Sequence, residues 1–107
     1  MYEYTFIFSA ADEPPTDAGL LHILAGFSAG FTLLVGRGCW EGVPEPSYTL
    51  IVFHDSFLLD QGTAIAERLA VQYNQAAVYF GVRQRDDLRL IHNPIREYNR
   101  KLFGDAA

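Results

Sequence analysis

The chain has 107 residues, half of them hydrophobic, and its 8 Lys and Arg stand against 13 Asp and Glu for a formal net charge of -5. That length supports one domain with one core, and the acidic balance argues against sequence-independent nucleic-acid binding, which draws its affinity from basic side chains neutralising phosphates. A single cysteine, Cys39, excludes an internal disulfide and fits a reducing, cytoplasmic setting, and no apolar run approaches the ~18 residues of a membrane span.

Charge is unevenly placed along the chain. Residues 1–82 carry nine acids and two bases, a net -7, whereas residues 83–107 carry six bases and four acids, a net +2. From the start, Tyr2, Tyr4, Phe6 and Phe8 alternate with Glu3, Thr5 and Ile7, the period-2 signature of a strand with one aromatic face. After Pro14 and Pro15, Thr16 is the expected cap of a helix with Asp17 in its first turn, where the helix dipole favours an acid. Leu20, Leu21, Leu24 and Phe27 then form one helical stripe, and Ala29 and Gly30 are expected to end it.

Phe31 to Val35 and Ser47 to Phe53 read as strands that are apolar at nearly every position, a pattern that fits cover on both faces. Helices cover only one face of so small a sheet. A second subunit, or the chain's own tail, is therefore expected on the other, and the chain is expected to form a dimer or trimer. The intervening RGCWEGVPEP looks too long for a tight hairpin and is expected to project as a loop. Asp60 is the expected cap of a second helix, with Ile65, Ala66, Leu69, Ala70 and Tyr73 on its apolar face and Asn74 closing it.

Ala77 to Val82 reads as a fourth strand and Leu88 to Ile91 as a short fifth. Beyond Pro94, Ile95, Tyr98 and Leu102 fit one face of a short basic helix, and the closing Gly104 to Ala107 is expected to fray. The order β-α-β-β-α-β is that of a ferredoxin-like α+β domain spanning residues 1–107. Both helices are expected on one face of an antiparallel sheet, with an extra C-terminal strand and a tail from about residue 94.

Gly30, Phe31, Thr32 and Leu33, followed by Gly38 and Trp40 and then by Glu45 and Ser47 opening a strand, carry a family likeness. The segment resembles that of small uncharacterised bacterial proteins in which G-[LF]-T-[VL]-x4-G-x-W precedes an E-x-S strand, and Tyr73, Gln75 and Val78 look like their closing motif. The resemblance covers roughly residues 4–82 and implies a ferredoxin-like fold without an activity. More distantly, Gly30, Thr32, Arg37 and Gly38 are similar to the G-x-T-x5-G stretch of PII-like and CutA-like trimers, a likeness that implies glycines placed near a phosphate.

Among candidate sites, Gly36, Arg37, Gly38 and Gly42 offer a backbone nest for an anion, with Glu41 and Glu45 opposing it. Trp40 is either folded over the sheet or an aromatic anchor for a partner, in a segment stiffened by Pro44 and Pro46. Arg83, Arg85 and Arg89 are expected to add positive charge from the same or a neighbouring subunit. His54 and Asp55 end a strand and are the alternative catalytic pair, although neighbouring strand residues face opposite ways. No spacing of His and Cys predicts a metal, and no cofactor is expected.

These residues favour a non-enzymatic binding or regulatory module that recognises an anionic small ligand or a protein partner through Arg37 to Glu45. The alternatives are a cofactor-free enzyme of the dimeric α/β-barrel type with a pocket near His54, and an acidic inhibitor or sequestering protein encoded by a mobile element.

Overall fold

A computed structural model describes residues 1–10 and 12–104, so the fraying expected of the final three residues lies outside the described part. The elements are β1 (Tyr2–Ser9), α1 (Asp17–Ile23), β2 (Thr32–Trp40), β3 (Val43–His54), α2 (Leu59–Gln72), β4 (Tyr79–Gln84) and α3 (Pro94–Phe103). The four strands form one antiparallel sheet in the order β2-β3-β1-β4, giving an α+β architecture.

The aromatic face of β1 founds the core. Tyr4, Phe6 and Phe8 are buried with Tyr48, Leu50 and Val52 of β3, Leu20 and Ile23 of α1, Leu24 just beyond it, and Ile65, Ala66 and Leu69 of α2. Each large side chain fully withdrawn from water there contributes roughly 1.5–3 kcal/mol. Both helices pack on this one face. The opposite face of the sheet carries Ile7, Leu34, Phe53 and Tyr79, all exposed.

Close packing of α2 on β4 depends on Gly62. A Cβ added at Gly62 would stand 2.3 Å from Cζ of Phe80, whose ring stacks on Phe6 with centroids 5.0 Å apart. Thr16 caps α1 as expected, its hydroxyl accepting from the Gly19 amide at 3.1 Å. The helix is shorter than its apolar stripe suggests: it closes at Leu24, before Gly26 turns left-handed at φ 82°.

The start of α2 differs from expectation. Leu58 occupies the cap position and Asp60 lies in the first turn, with no side chain of the helix capping it. The Tyr4 hydroxyl serves this junction from across the core, accepting from the Leu58 amide at 2.7 Å and donating to the Ser56 carbonyl at 2.5 Å. At the other end, Asn74 takes φ 52°, the Gln75 amide donates to the Ala70 carbonyl and the Asn74 amide to that of Val71. This is the Schellman closure that an asparagine just past a helix supports.

Two further expectations fail. Residues 37–46 do not form a projecting loop: β2 runs on to Trp40 and β3 begins at Val43, so only Glu41 and Gly42 turn the chain. Both are left-handed, at φ 50° and 82°, the type I′ geometry that suits the twist of a hairpin. Pro44 and Pro46 do not break the ladder. Pro46 directs its carbonyl towards β1, where the Ser9 hydroxyl donates to it at 2.8 Å, so its missing N–H faces away from β2. The fifth strand expected over Leu88 to Ile91 is also absent, since these residues pair with nothing and Leu90 and Ile91 are exposed.

The hairpin outruns the sheet. β1 ends at Ser9 opposite Ser47, and four further residue pairs, Arg37 with Pro46 to Trp40 with Val43, extend past it by about 14 Å at ~3.4 Å per residue. At the other pole, α3 starts on Asn93, whose side-chain oxygen accepts from the Ile95 and Arg96 amides, and Pro94 takes the first helical turn. Among the described residues α3 packs against no other helix or strand and buries no residue. These two extensions stretch the molecule to 57 × 26 × 23 Å, with a radius of gyration of 16.9 Å. A compact chain of this length would give about 13 Å.

Candidate functional site at the hairpin end

Strand register assigns each candidate residue to a face, because directly paired residues share one. On the face away from the helices, successive rows from the last residue of β1 outward hold Gly36 with Ser47, Gly38 with Glu45, and Trp40 with Val43. Two glycines in consecutive same-face positions leave this stretch of β2 without side chains. Beside Gly38, where the hairpin runs past the end of β1, lies a trough of about 330 Å³ lined by residues of both alternations: Trp40, Glu45 and Ser47 with Cys39 and Pro46 on the hairpin, Ile7 and Phe8 on β1, and Gln75 and Tyr79 around the start of β4. Its lining is mainly apolar, and Trp40 at its outer end is 59% exposed.

Gly36 and Gly38 are extended strand residues whose amides alternate in direction, and neither adopts the left-handed turn on which a backbone nest is built. Arg37 sits between them in sequence and therefore faces the other side of the sheet, exposed and with no ion pair or hydrogen bond among the described residues. Trp40 and Glu45 thus come together at the trough beside Gly38, while Arg37 points to the other face and does not line it. Glu41 stands in the turn, exposed.

Arg83 and Arg85 lie at the opposite end of the sheet. Arg83 pairs across the ladder with Glu3 and reaches its carboxylate at 3.4 Å, while Arg85 contacts Glu3 at 2.8 Å and Asp87 at 3.0 Å. From Glu3 to Ser9 is six residues of strand, about 20 Å, so neither arginine meets the trough within one chain. The hydrogen bond from the Arg85 guanidinium, reinforced by the Asp87 backbone and the Arg85 charge, holds the Asp87 carboxyl below the usual carboxylate range. Arg89 donates to the carbonyls of Asp86 and Leu88, closing the same turn.

His54 lies on the helix side of β3. Its ring stacks on Phe27 with centroids 4.8 Å apart, and Nδ1 accepts from the Ser56 amide at 3.0 Å. Asp55 follows as an exposed residue in the bend, not as an orienting partner of the imidazole. Cys39 is exposed, shares the alternation of Arg37, and lines the trough.

The trough needed information that spacing alone withholds. Ile7, Gln75 and Tyr79 join it only through the pairing of β1 with β3 and β4. The legible signal was Gly38 two residues before Trp40, which at period 2 leaves a vacant position beside a ring on one face. Among the described residues no helix is long and apolar enough to cross a membrane. No model of a known protein family matches the chain, and no curated protein matches it in sequence.

Proposed function

We propose that the chain is a ferredoxin-like, non-catalytic binding module that docks a protein partner through the end of its β2–β3 hairpin. The observation that carries this reading is the trough beneath Trp40, an apolar recess of about 330 Å³ beside a tryptophan that is 59% exposed. An exposed aromatic next to a recess is the arrangement of an interface anchor, and the two-residue turn with Pro44 and Pro46 restricts the arm before binding. The element order and the strand order β2-β3-β1-β4 support the ferredoxin-like assignment, and kinship with the small bacterial ferredoxin-like proteins belongs to the same proposal. A protein partner is favoured over an anionic small ligand because Glu45 lines the trough and Arg37 faces away from it.

A photo-crosslinking amino acid placed at Val43, which is exposed beside Trp40, tests this reading in living cells against the same probe at Val71 on the outer side of α2. A discrete adduct with another protein at position 43, absent at position 71, is the expected result. No adduct at 43, or the same adducts at both positions, would remove the hairpin end as the docking surface.

A further inference from the structure

The open face of the sheet has a second zone, which shares Ile7 and Tyr79 with the trough and extends from them towards the other end. Reading across the strands, Leu34, Thr49, Ile7 and Tyr79 form one transverse row. Thr32, Ile51, Thr5 and Gly81 form the next, and Phe53, Glu3 and Arg83 the one after. The middle row is low: apart from Ile51 it holds two threonines and a glycine at which an added Cβ would meet nothing within 4 Å. The outer rows stand about 14 Å apart along the strands and rise to either side, with Leu34 and Tyr79 54% and 67% exposed in one and Phe53 40% exposed in the other. The result is a shallow apolar groove across the four strands, about 14 Å from β2 to β4.

A groove of that width and length admits a helix of about ten residues, which is ~15 Å long and ~10 Å wide. The chain itself presents one. α3 has ten residues, and Ile95, Tyr98, Leu102 and Phe103 line one side of it, all more than half exposed and touching no other element. Arg96, Arg100 and Lys101 flank that stripe with Glu97, and the groove's own charged residues, Glu3 with Arg83, are already paired with each other, so the fit rests on the apolar faces. The exit from β4 holds α3 away from its own sheet. The Arg85 amide donates to the Met1 carbonyl, the Arg85 side chain is pinned to Glu3 and Asp87, and Arg89 closes the turn onto Asp86 and Leu88.

We infer that α3 of one copy lies in the transverse groove of a second copy, and that the exchange is reciprocal, giving a two-fold dimer. Two such helix-in-groove contacts bury on the order of 1,500 Å² in total, the size of a stable protein interface. Trp40 and Val43, further out along the hairpin, stay uncovered.

Light scattering on the full chain, with far-UV circular dichroism confirming folding, tests the exchange through complementation. One variant carries Ile95→Glu, Tyr98→Glu and Leu102→Glu, and another carries Leu34→Arg and Tyr79→Arg, all at exposed positions outside the core. The wild type is expected to be dimeric and each variant monomeric. An equimolar mixture is expected to regain a dimer, since the intact helix of one meets the intact groove of the other. Should the groove variant fail to fold, Phe53→Arg replaces it. A monomeric wild type, a helix variant that remains dimeric, or a mixture that stays monomeric would each overturn the exchange.

Discussion

Removing one oxygen from the core, by Tyr4→Phe, isolates the interaction that joins β1 to the start of α2. The ring is fully buried and keeps its edge-on contact with Phe27, centroids 5.0 Å apart, so the substitution leaves packing unchanged. What it removes is the hydroxyl that accepts from the Leu58 amide at 2.7 Å and donates to the Ser56 carbonyl at 2.5 Å. Two such bonds contribute roughly 1–3 kcal/mol net, and a backbone group left without a partner adds a desolvation cost of about 1–3 kcal/mol. Partial access of water to this junction limits the total to about 2–4 kcal/mol. A domain of this size loses ~4–8 °C of Tm per kcal/mol, so a fall of about 8–32 °C is expected in a thermal melt. Urea unfolding followed by circular dichroism should show a lower midpoint at unchanged slope. A loss below about 0.5 kcal/mol would mean that the hydroxyl does not organise the junction, and the account of an uncapped α2 held from β1 would be wrong.

Gly62→Ala should destabilise by about 1–3 kcal/mol despite the better helix propensity of alanine, because its Cβ would press on the Phe80 ring; pairing it with Phe80→Leu should recover much of the loss in the same urea assay. The depressed Asp87 carboxyl contributes stability that is present above its unfolded pKa and lost as pH falls through the lower folded value. In an NMR titration its midpoint should lie below the usual carboxylate range in the wild type and move up in Arg85→Leu; an unmoved midpoint would dismiss the Arg85 contact as its cause. Asn93→Ala deletes the acceptor shared by the Ile95 and Arg96 amides and should cost α3 about 1 kcal/mol. Amide exchange should show faster opening confined to residues 94–103, and equal acceleration in α2 would contradict a local role for this cap.

Elements defined by their own periodicity were legible in the sequence. The alternating aromatics of β1, the apolar stripe of α2, the Thr16 and Asn74 caps and the amphipathic segment after Pro94 all stand where the pattern puts them. The misses share a different cause, a partner remote in sequence. Asp60 looked like the cap of α2 because it is the nearest acid, whereas the Tyr4 hydroxyl does that work from 54 residues away. Pro44 and Pro46 were expected to stiffen a loop, yet they lie in β3, where β1 ends at Ser9 and leaves their side free of any ladder to break. Glu41 in a left-handed position hid the turn, since Asn or Asp usually marks that site. Leu88 to Ile91 has strand-like residues but no strand beside it.

The candidate site was legible as a segment and not as a surface. Arg37, Trp40 and Glu45 are close in sequence, and only the register shows that Arg37 faces the other way while Ile7 and Tyr79 close the trough. Likewise Arg83 and Arg85, expected near the hairpin, are committed to Glu3 at the far end of the sheet.

The central claim is that Trp40 anchors a protein partner at the hairpin end. It is tested most directly by measuring the yield of the non-self adduct from the crosslinker at position 43 in chains with Trp40 and with Trp40→Ala. Loss of an aromatic anchor of about 2 kcal/mol lowers affinity more than tenfold, so the adduct should fall by at least that factor under subsaturating conditions while folding, read by circular dichroism, is unchanged. An undiminished adduct from the folded Trp40→Ala chain would contradict the claim.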